Sequence, residues 1–105
     1  MKTAVYTGSF DPITVGHVNV IQRSSRLTDR LIVGVGINVQ KSELFSPEER
    51  CELIRESIAD LPNVEIQTFQ GLAVDFVRHC QSSVMIRGVR PLTDIDAEFT
   101  MTSAN

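Results

Sequence analysis

The sequence predicts an α/β protein built on an open parallel sheet with helices on both faces. Short apolar runs alternate with segments of helical periodicity in the order β-α-β-α-β-α-β-α, which is typical of parallel sheets with right-handed crossovers. The run Arg30–Ile37 is almost continuously apolar, as expected for a strand that is covered on both faces. A chain of 105 residues with no internal repeat or linker supports one hydrophobic core, so we expect a single domain over residues 1–105.

Two strands and one helix are predicted in the first third of the chain. Lys2–Thr7 is a short apolar strand, His17–Leu27 has the spacing of an amphipathic helix, and Arg30–Ile37 is the second strand. Gly34 and Gly36 lie inside this second strand, so we expect a helix or a ligand to pack closely there.

The second helix has the clearest start signal. Ser46 is a candidate N-cap, Pro47 fits the first helical position, and Glu49 completes a capping box. The helix then carries one apolar stripe at spacings of three and four, formed by Cys51, Ile54, Ile58 and Leu61.

The remaining elements are two strands and two helices. We expect a third strand over Val64–Phe69, a third helix over Leu72–Cys80 and a short fourth strand over Val84–Ile86. Thr93 is a candidate N-cap for a last helix, which would carry Ile95, Phe99 and Thr102 at spacings of four and three.

Composition limits the classes of function. The hydrophobic fraction is 42% and the charged fraction 22%, as in ordinary soluble globular proteins. The net charge of −3 argues against nonspecific nucleic-acid binding, so any anion site must be built from a few local cations. Cys51 and Cys80 have no metal-ligand spacing, and the N-terminal apolar run is too short for a signal peptide or a membrane span. We therefore expect a cytoplasmic protein with reduced thiols and no membrane or nucleic-acid partner.

The loop TGSFDPITVGH, residues Thr7–His17, carries the strongest local signal. Gly8 and Gly16 allow a close approach of backbone to ligand, Pro12 stiffens the loop, and His17 falls in the first turn of a helix. Unpaired N–H groups and the positive end of the helix dipole suit a phosphate there. The loop is neither a GxGxxG fingerprint nor a GxxxxGK[ST] loop, and the alternative is a tight βα turn whose histidine caps the helix.

The order of the elements brings scattered cations together. In a Rossmann-like sheet of order 3-2-1-4, the loops after the first and fourth strands meet at the topological switch point, where ligands bind. Lys41, in the loop after the second strand, opens onto the same edge. His17, Lys41, Arg87 and Arg90 would then share one crevice, which predicts a polyanionic small-molecule ligand. Taken alone, Arg87 and Arg90 would be interpreted as exposed loop residues. Gly88 between them, Pro91 after them and their position at the end of a strand favour the ligand site instead.

Two strings resemble a known family. Thr14-Val15-Gly16-His17 resembles the T/H-x-G-H signature of nucleotidyltransferases, and GSFDPIT-x-GH together with IRGVRPLTDIDAE, residues Ile86–Glu98, is similar to the phosphopantetheine adenylyltransferases. The resemblance implies transfer of the adenylyl group of ATP to 4′-phosphopantetheine, giving dephospho-coenzyme A, the precursor of coenzyme A, and pyrophosphate. It also implies Mg²⁺ carried by ATP, no metal ligands from the protein, and a homohexamer.

The resemblance also assigns roles to residues. His17, Lys41 and Arg90 match catalytic positions. Acceptor-binding positions are matched by Ser9, Lys41, Ala73 and Arg87. Nucleotide-binding positions are matched by Ser9, Phe10, His17, Gly88, Val89, Arg90 and Glu98.

The chain departs from the family at two places. Ala97 stands where the family often has an aromatic residue, and family members continue beyond Asn105 with a fifth strand and a serine-rich loop that binds ATP phosphates. We therefore expect a C-terminally truncated member that associates into oligomers. The alternatives are a non-catalytic nucleotide- or pantetheine-binding remnant, a fold without ligand, and another small nucleotidyltransferase, such as a cytidylyltransferase or a pyridine mononucleotide adenylyltransferase. The string RGVRPLTDID disfavours these last two.

Overall fold

The computed structural model describes residues 2–38, 43–82, 84–88 and 99–103. Within them the chain forms three helices and one five-stranded sheet of order β3-β2-β1-β4-β5. The strands are β1 (Thr3–Gly8), β2 (Arg30–Gly36), β3 (Val64–Phe69), β4 (Val84–Gly88) and β5 (Phe99–Ser103). The helices are α1 (Val15–Leu27), α2 (Pro47–Ser57) and α3 (Ala73–His79).

The central strand is β1. It pairs in parallel with β2 on one side and with β4 on the other, and β3 adds in parallel to the outer edge of β2. The predicted order 3-2-1-4 is therefore confirmed for the four parallel strands. The loops after β1, β2 and β4 consequently leave the sheet at its carboxyl edge, where an open α/β sheet binds its ligands.

Helices cover both faces of the sheet, as predicted. One face carries α1 and α2. Ile21 of α1, Ile54 of α2 and Ile58 at the C-cap of α2 pack there on strand residues such as Leu31 and Val33. On the other face α3 places Phe76 and Val77 against Val5, Ile32 and Met85. The alternation of these two sets along β1 and β2 explains the nearly unbroken apolar run of β2.

Gly34 is required by the packing of α3. A Cβ atom at this position would lie 2.4 Å from Cε2 of Phe76 and 3.3 Å from Cε1 of Phe69. The two phenylalanine rings stack with their centroids 4.5 Å apart. The predicted close approach at this glycine is thus made by a helix.

The predicted start of α2 is confirmed by its cap, and two other boundaries differ from expectation. Ser46 caps α2 in a capping box with Glu49, whereas α1 begins at Val15 rather than His17 because Thr14 is its N-cap. The second helix ends at Ser57, so Leu61 lies outside it and packs on the core from the following turn.

The predicted last helix is wrong where the structure describes it. Phe99–Ser103 forms β5, which pairs antiparallel with β4 and joins Gly88 to Phe99 and Val84 to Ser103 in register. The segment FTMTS has two β-branched threonines, a residue type that favours strands, and its pairing occupies backbone groups on the outer edge of β4. Thr93 and Ile95 lie outside the described residues.

Candidate functional site

The loop after β1 turns sharply and buries its aromatic side chain. Phe10 adopts a left-handed backbone conformation with φ of 49°, and its ring is 1% exposed. The ring packs edge-on against Tyr6 and His17, with centroids 5.3 and 5.0 Å away. A Cβ atom on Gly8 would lie 3.2 Å from this ring, so Gly8 makes room for Phe10. Ser9 stays exposed beside it.

His17 is oriented by the cap of α1. The backbone N–H of Thr14 donates to Nδ1 of His17 over 3.0 Å, and the Thr14 hydroxyl lies 3.0 Å from the same nitrogen. In return, the Thr14 Oγ1 accepts from the backbone N–H of His17. Because Nδ1 accepts a hydrogen bond, the neutral ring carries its proton on Nε2. The site therefore has an oriented N–H donor at the positive end of a 13-residue helix.

A cleft opens at the carboxyl ends of β1 and β2. Its volume is about 310 Å³, within the range of small-molecule sites. The turn between β3 and α3 closes its other side. The lining residues are Thr7, Gly8, Ser9, Gly36, Ile37, Asn38, Phe69, Gly71 and Ala73. The structure thus brings together Ser9 and Ala73, two of the predicted site residues that are 64 positions apart in the sequence.

Behind this cleft lies Arg50, a fully buried arginine of α2. Its Nη1 donates to the carbonyl oxygens of Ser9 (2.9 Å) and Gly36 (3.1 Å). Its Nη2 lies 2.6 Å from the carboxylate of Glu43. One guanidinium therefore connects the loop after β1, the end of β2 and the segment that leads into α2.

Asp11 adds a second connection between the same segments. Its carboxylate accepts hydrogen bonds from the backbone N–H groups of Leu44 (2.7 Å) and Phe45 (2.8 Å). The loop that carries Ser9 is thereby attached to residues 43–45 through both a carboxylate and a guanidinium.

Several predicted site residues cannot be compared with the structure. Lys41, Val89, Arg90 and Glu98 lie outside the described residues. For Arg87 and Gly88 the backbone alone is described, at the carboxyl end of β4 next to β1. Their predicted roles stay predictions.

Sequence reasoning missed Arg50 and Asp11. A signal for Arg50 was present, because it lies four residues before Ile54 and eight before Ile58, on the apolar stripe of α2. A charged residue at such a position is rarely buried without a dedicated partner. Asp11 precedes a proline, which indicated a turn but not the distant N–H groups it would hold.

Three other features of the described part of the chain are its potential metal ligands, its thiols and the length and apolarity of its helices. No group of three or more His, Cys, Asp or Glu side chains there could hold a metal ion. Burial raises the pKa of both Cys51 and Cys80, so these thiols stay protonated near neutral pH. No helix among the described residues has the length and apolarity needed to cross a bilayer.

Comparison of the sequence with known proteins identifies the family to which the chain is related. The Cytidylyltransferase-like family model matches residues 5–105. The phosphopantetheine adenylyltransferase of Rhodopirellula baltica is 62% identical over 102 residues, which cover 97% of this chain and 57% of that protein. The protein of the same name from Clostridium botulinum (strain 657 / Type Ba4) is 50% identical over 105 residues, covering 100% of this chain and 64% of the relative. These relatives confirm the resemblance that the two sequence strings predict.

A solved structure supports the architecture. The lipopolysaccharide core biosynthesis protein from Thermoplasma volcanium aligns with a TM-score of 0.61 at 26% identity, over 81% of this chain and 72% of that one. With respect to length, the chain spans 57% to 64% of the two curated relatives described above.

Proposed function

This chain belongs to the cytidylyltransferase-like family, and we propose that it transfers the adenylyl group of ATP to 4′-phosphopantetheine, giving dephospho-coenzyme A and pyrophosphate. The observation that carries the proposal is the cleft at the carboxyl ends of β1 and β2, lined by Ser9 and Ala73, next to a loop that ends at the capped histidine of α1. The names of the two relatives support the choice of substrates.

The chemistry requires no nucleophile from the protein. The phosphate of the acceptor attacks the α-phosphorus of ATP, the new phosphoanhydride bond forms, and pyrophosphate leaves. The protein contributes by aligning two anions and by stabilising the charge that develops on the phosphate oxygens. Protonated thiols at Cys51 and Cys80 are compatible with a reaction in which the protein supplies no nucleophile.

His17 is the residue suited to stabilise the transferring phosphate. With Nδ1 held by Thr14, Nε2–H is a preorganised donor that needs no reorientation when the charge develops. Ser9, exposed in the loop, contacts ATP and the acceptor phosphate in this proposal. Phe10 contributes through its backbone, since its ring is buried.

The remaining roles follow the family resemblance. Lys41 and Arg87 bind the acceptor, and Lys41 and Arg90 also act in catalysis. Gly88, Val89, Arg90 and Glu98 bind the nucleotide. Ala73 contributes a backbone contact to the pantetheine arm.

Magnesium enters this proposal with ATP. The described residues offer no cluster of carboxylates for a protein-held ion, and the Asp11 carboxylate is already occupied by two backbone N–H groups. This donor set fits an ion that is held mainly by substrate phosphates and water, as Mg²⁺ commonly is. When bound, it would neutralise charge on the phosphate oxygens. We also propose a cytoplasmic homo-oligomer, with a hexamer as the expected form.

The proposal is tested by pyrophosphate release from ATP, magnesium and 4′-phosphopantetheine. Loss of one donor aimed at the transition state costs about 3–4 kcal/mol, so His17→Ala should lower turnover roughly 100- to 1000-fold. The chain has two histidines, and His79, exposed on α3, provides the matched control. His79→Ala should leave the rate unchanged.

The second candidate is a non-catalytic binding module. The observation that favours it is the lining of the described cleft, which includes Ser9 and Ala73 but does not include His17. A folded chain that binds ATP or 4′-phosphopantetheine without releasing pyrophosphate would support this candidate. A folded chain that binds neither ligand would refute both functions.

A further inference from the structure

We propose that Arg50 is a positioning residue that fixes the backbone around the cleft for anionic ligands. It contacts no ligand in this proposal, and acts through Ser9 and Gly36, whose carbonyl oxygens accept its Nη1–H groups over 2.9 and 3.1 Å. Both of these residues line the cleft. The consequence for ligand binding rests on the function proposed above, whereas the geometric role can be tested without it.

A fully buried arginine is an unusual choice for the apolar stripe of a helix. Desolvating its charge is costly, and apolar residues of similar volume often replace buried ion pairs without loss of stability. Leucine at position 50 would extend the stripe that Ile54 and Ile58 already form. Stability alone therefore does not account for Arg50, and its three contacts indicate a geometric requirement.

The contacts determine which backbone groups face the cleft. The carbonyl oxygens of Ser9 and Gly36 point towards Arg50, in the protein interior. A carbonyl oxygen carries partial negative charge and would repel a phosphate if it turned into the cleft. Because Arg50 holds both carbonyl groups towards the interior, neither carbonyl oxygen faces an anionic ligand in the cleft.

The third contact extends the effect to the segment before α2. Glu43 lies 2.6 Å from Nη2, and the next two backbone N–H groups, of Leu44 and Phe45, donate to Asp11. Arg50 and Asp11 thus connect the same two segments, the Ser9 loop and residues 43–45. Loss of the guanidinium contacts of Arg50 should increase the mobility of both the Ser9 loop and residues 43–45.

The test compares Arg50→Lys with Arg55→Lys in the same helix. Lysine keeps the charge at position 50 but lacks the planar fork that serves two carbonyls and a carboxylate together. Arg55 is exposed and pairs only with Glu52 among the described acids, so its substitution controls for a general effect of lysine in α2. Two quantities are measured: hydrogen exchange at the amides of Leu44 and Phe45, and the Kd for ATP and for 4′-phosphopantetheine.

We expect Arg50→Lys to accelerate exchange at these two amides at least about tenfold, while amides in the centre of β1 and β2 keep their ranking. The Kd for the ligands should rise by about tenfold or more, since small displacements of positioned groups have large effects. Arg55→Lys should change neither quantity. A uniform acceleration of all amides, or unchanged exchange at Leu44 and Phe45 with an unchanged Kd, would overturn the proposal and leave Arg50 a purely structural residue.

Glu43→Gln covers the case in which Arg50→Lys does not fold. This variant keeps the two carbonyl contacts and removes the charge partner of Arg50. Faster exchange confined to Leu44 and Phe45 would support the network, and native exchange there would contradict it. If the unsubstituted chain binds neither ligand, the proposed function fails, and the exchange measurements still decide the role of Arg50.

Discussion

Gly34→Ala should destabilise the protein by forcing two aromatic rings apart. The new methyl group would lie 2.4 Å from Cε2 and 3.0 Å from Cδ2 of Phe76, whereas carbon atoms in contact are ordinarily about 3.5–4.0 Å apart. Phe76 would have to move by about 1 Å. Its ring is 7% exposed and stacked on Phe69, so the movement must displace Phe69 or lift α3 from the sheet.

Two effects of opposite sign determine the magnitude. Overpacking of a core costs about 1–3 kcal/mol, and replacing a strand glycine with alanine returns roughly 0.5–1 kcal/mol through backbone entropy. The net loss of unfolding free energy is therefore about 1–2 kcal/mol, which lowers Tm by roughly 5–15 °C for a domain of this size. Urea unfolding followed by circular dichroism measures it.

Two further variants isolate the steric cause. At Gly36 the nearest side-chain atom to a new Cβ is 3.3 Å away, so Gly36→Ala should cost less than Gly34→Ala. In the double variant with Phe76→Leu, the smaller side chain should recover about 1 kcal/mol relative to the sum of the single changes. An unchanged urea midpoint for Gly34→Ala, or strict additivity in the double variant, would refute the packing argument.

Three other predictions concern the caps, the loop and pH. Ser46→Ala removes the acceptor for the Glu49 N–H and should lower the unfolding free energy by about 1 kcal/mol, and an unmoved urea midpoint would contradict this. Gly16→Ala meets its nearest neighbouring atom at 3.6 Å and should raise stability by roughly 0.5 kcal/mol while weakening ATP binding, so equal or tighter binding would be evidence against a close ligand approach. Burial raises the pKa of Tyr6 from 10.0 to about 12, so the contribution of Tyr6 to the unfolding free energy should be constant below pH 10 and should fall by roughly 2–3 kcal/mol between pH 10 and 12. Tyr6 is the only tyrosine, so tyrosinate absorbance reports it directly, and a midpoint near pH 10 in the folded protein would refute the prediction.

Local signals in the sequence were sufficient for most of the fold. The apolar run of β2, the capping box at Ser46 and Glu49, and the helical spacing of α3 each follow from short-range physics. The alternation of these elements then predicted a parallel sheet with helices on both faces, and the order of its four strands is that of a Rossmann-like sheet. The failures lie where distant partners decide the outcome.

Phe99–Ser103 shows such a failure in the fold. The spacings of four and three between Ile95, Phe99 and Thr102 favoured a helix. The sequence FTMTS of Phe99–Ser103, however, also alternates between apolar and polar residues, which is the pattern of a strand. The free edge of β4 resolves the choice in favour of β5, and nothing within the segment itself encodes that edge.

Arg50 shows the corresponding failure in the site. Its position on the apolar stripe was visible in the sequence, but its acceptors belong to Ser9 and Gly36, 41 and 14 residues away. By contrast, Thr14 and His17 are three residues apart, so the histidine at the start of α1 could be predicted from the local pattern. The position of His17 in the first turn of α1 depends on local geometry and was predicted, whereas the contacts of Arg50 depend on distant backbone groups and were missed.

The central strand is synthesised before both of the strands that pair with it. β1 can pair with β2 once residue 36 has emerged from the ribosome, but its other edge can pair only after β4 has been synthesised. Ser82, whose hydroxyl donates to the carbonyl oxygen of Thr3, lies 79 residues after Thr3 in the sequence. At translation rates of about 5–20 residues per second, this edge stays unpaired for roughly 2–10 s. Because pairings of such high sequence separation also form slowly, nascent chains are exposed to misassociation along the open edge of β1 during this time.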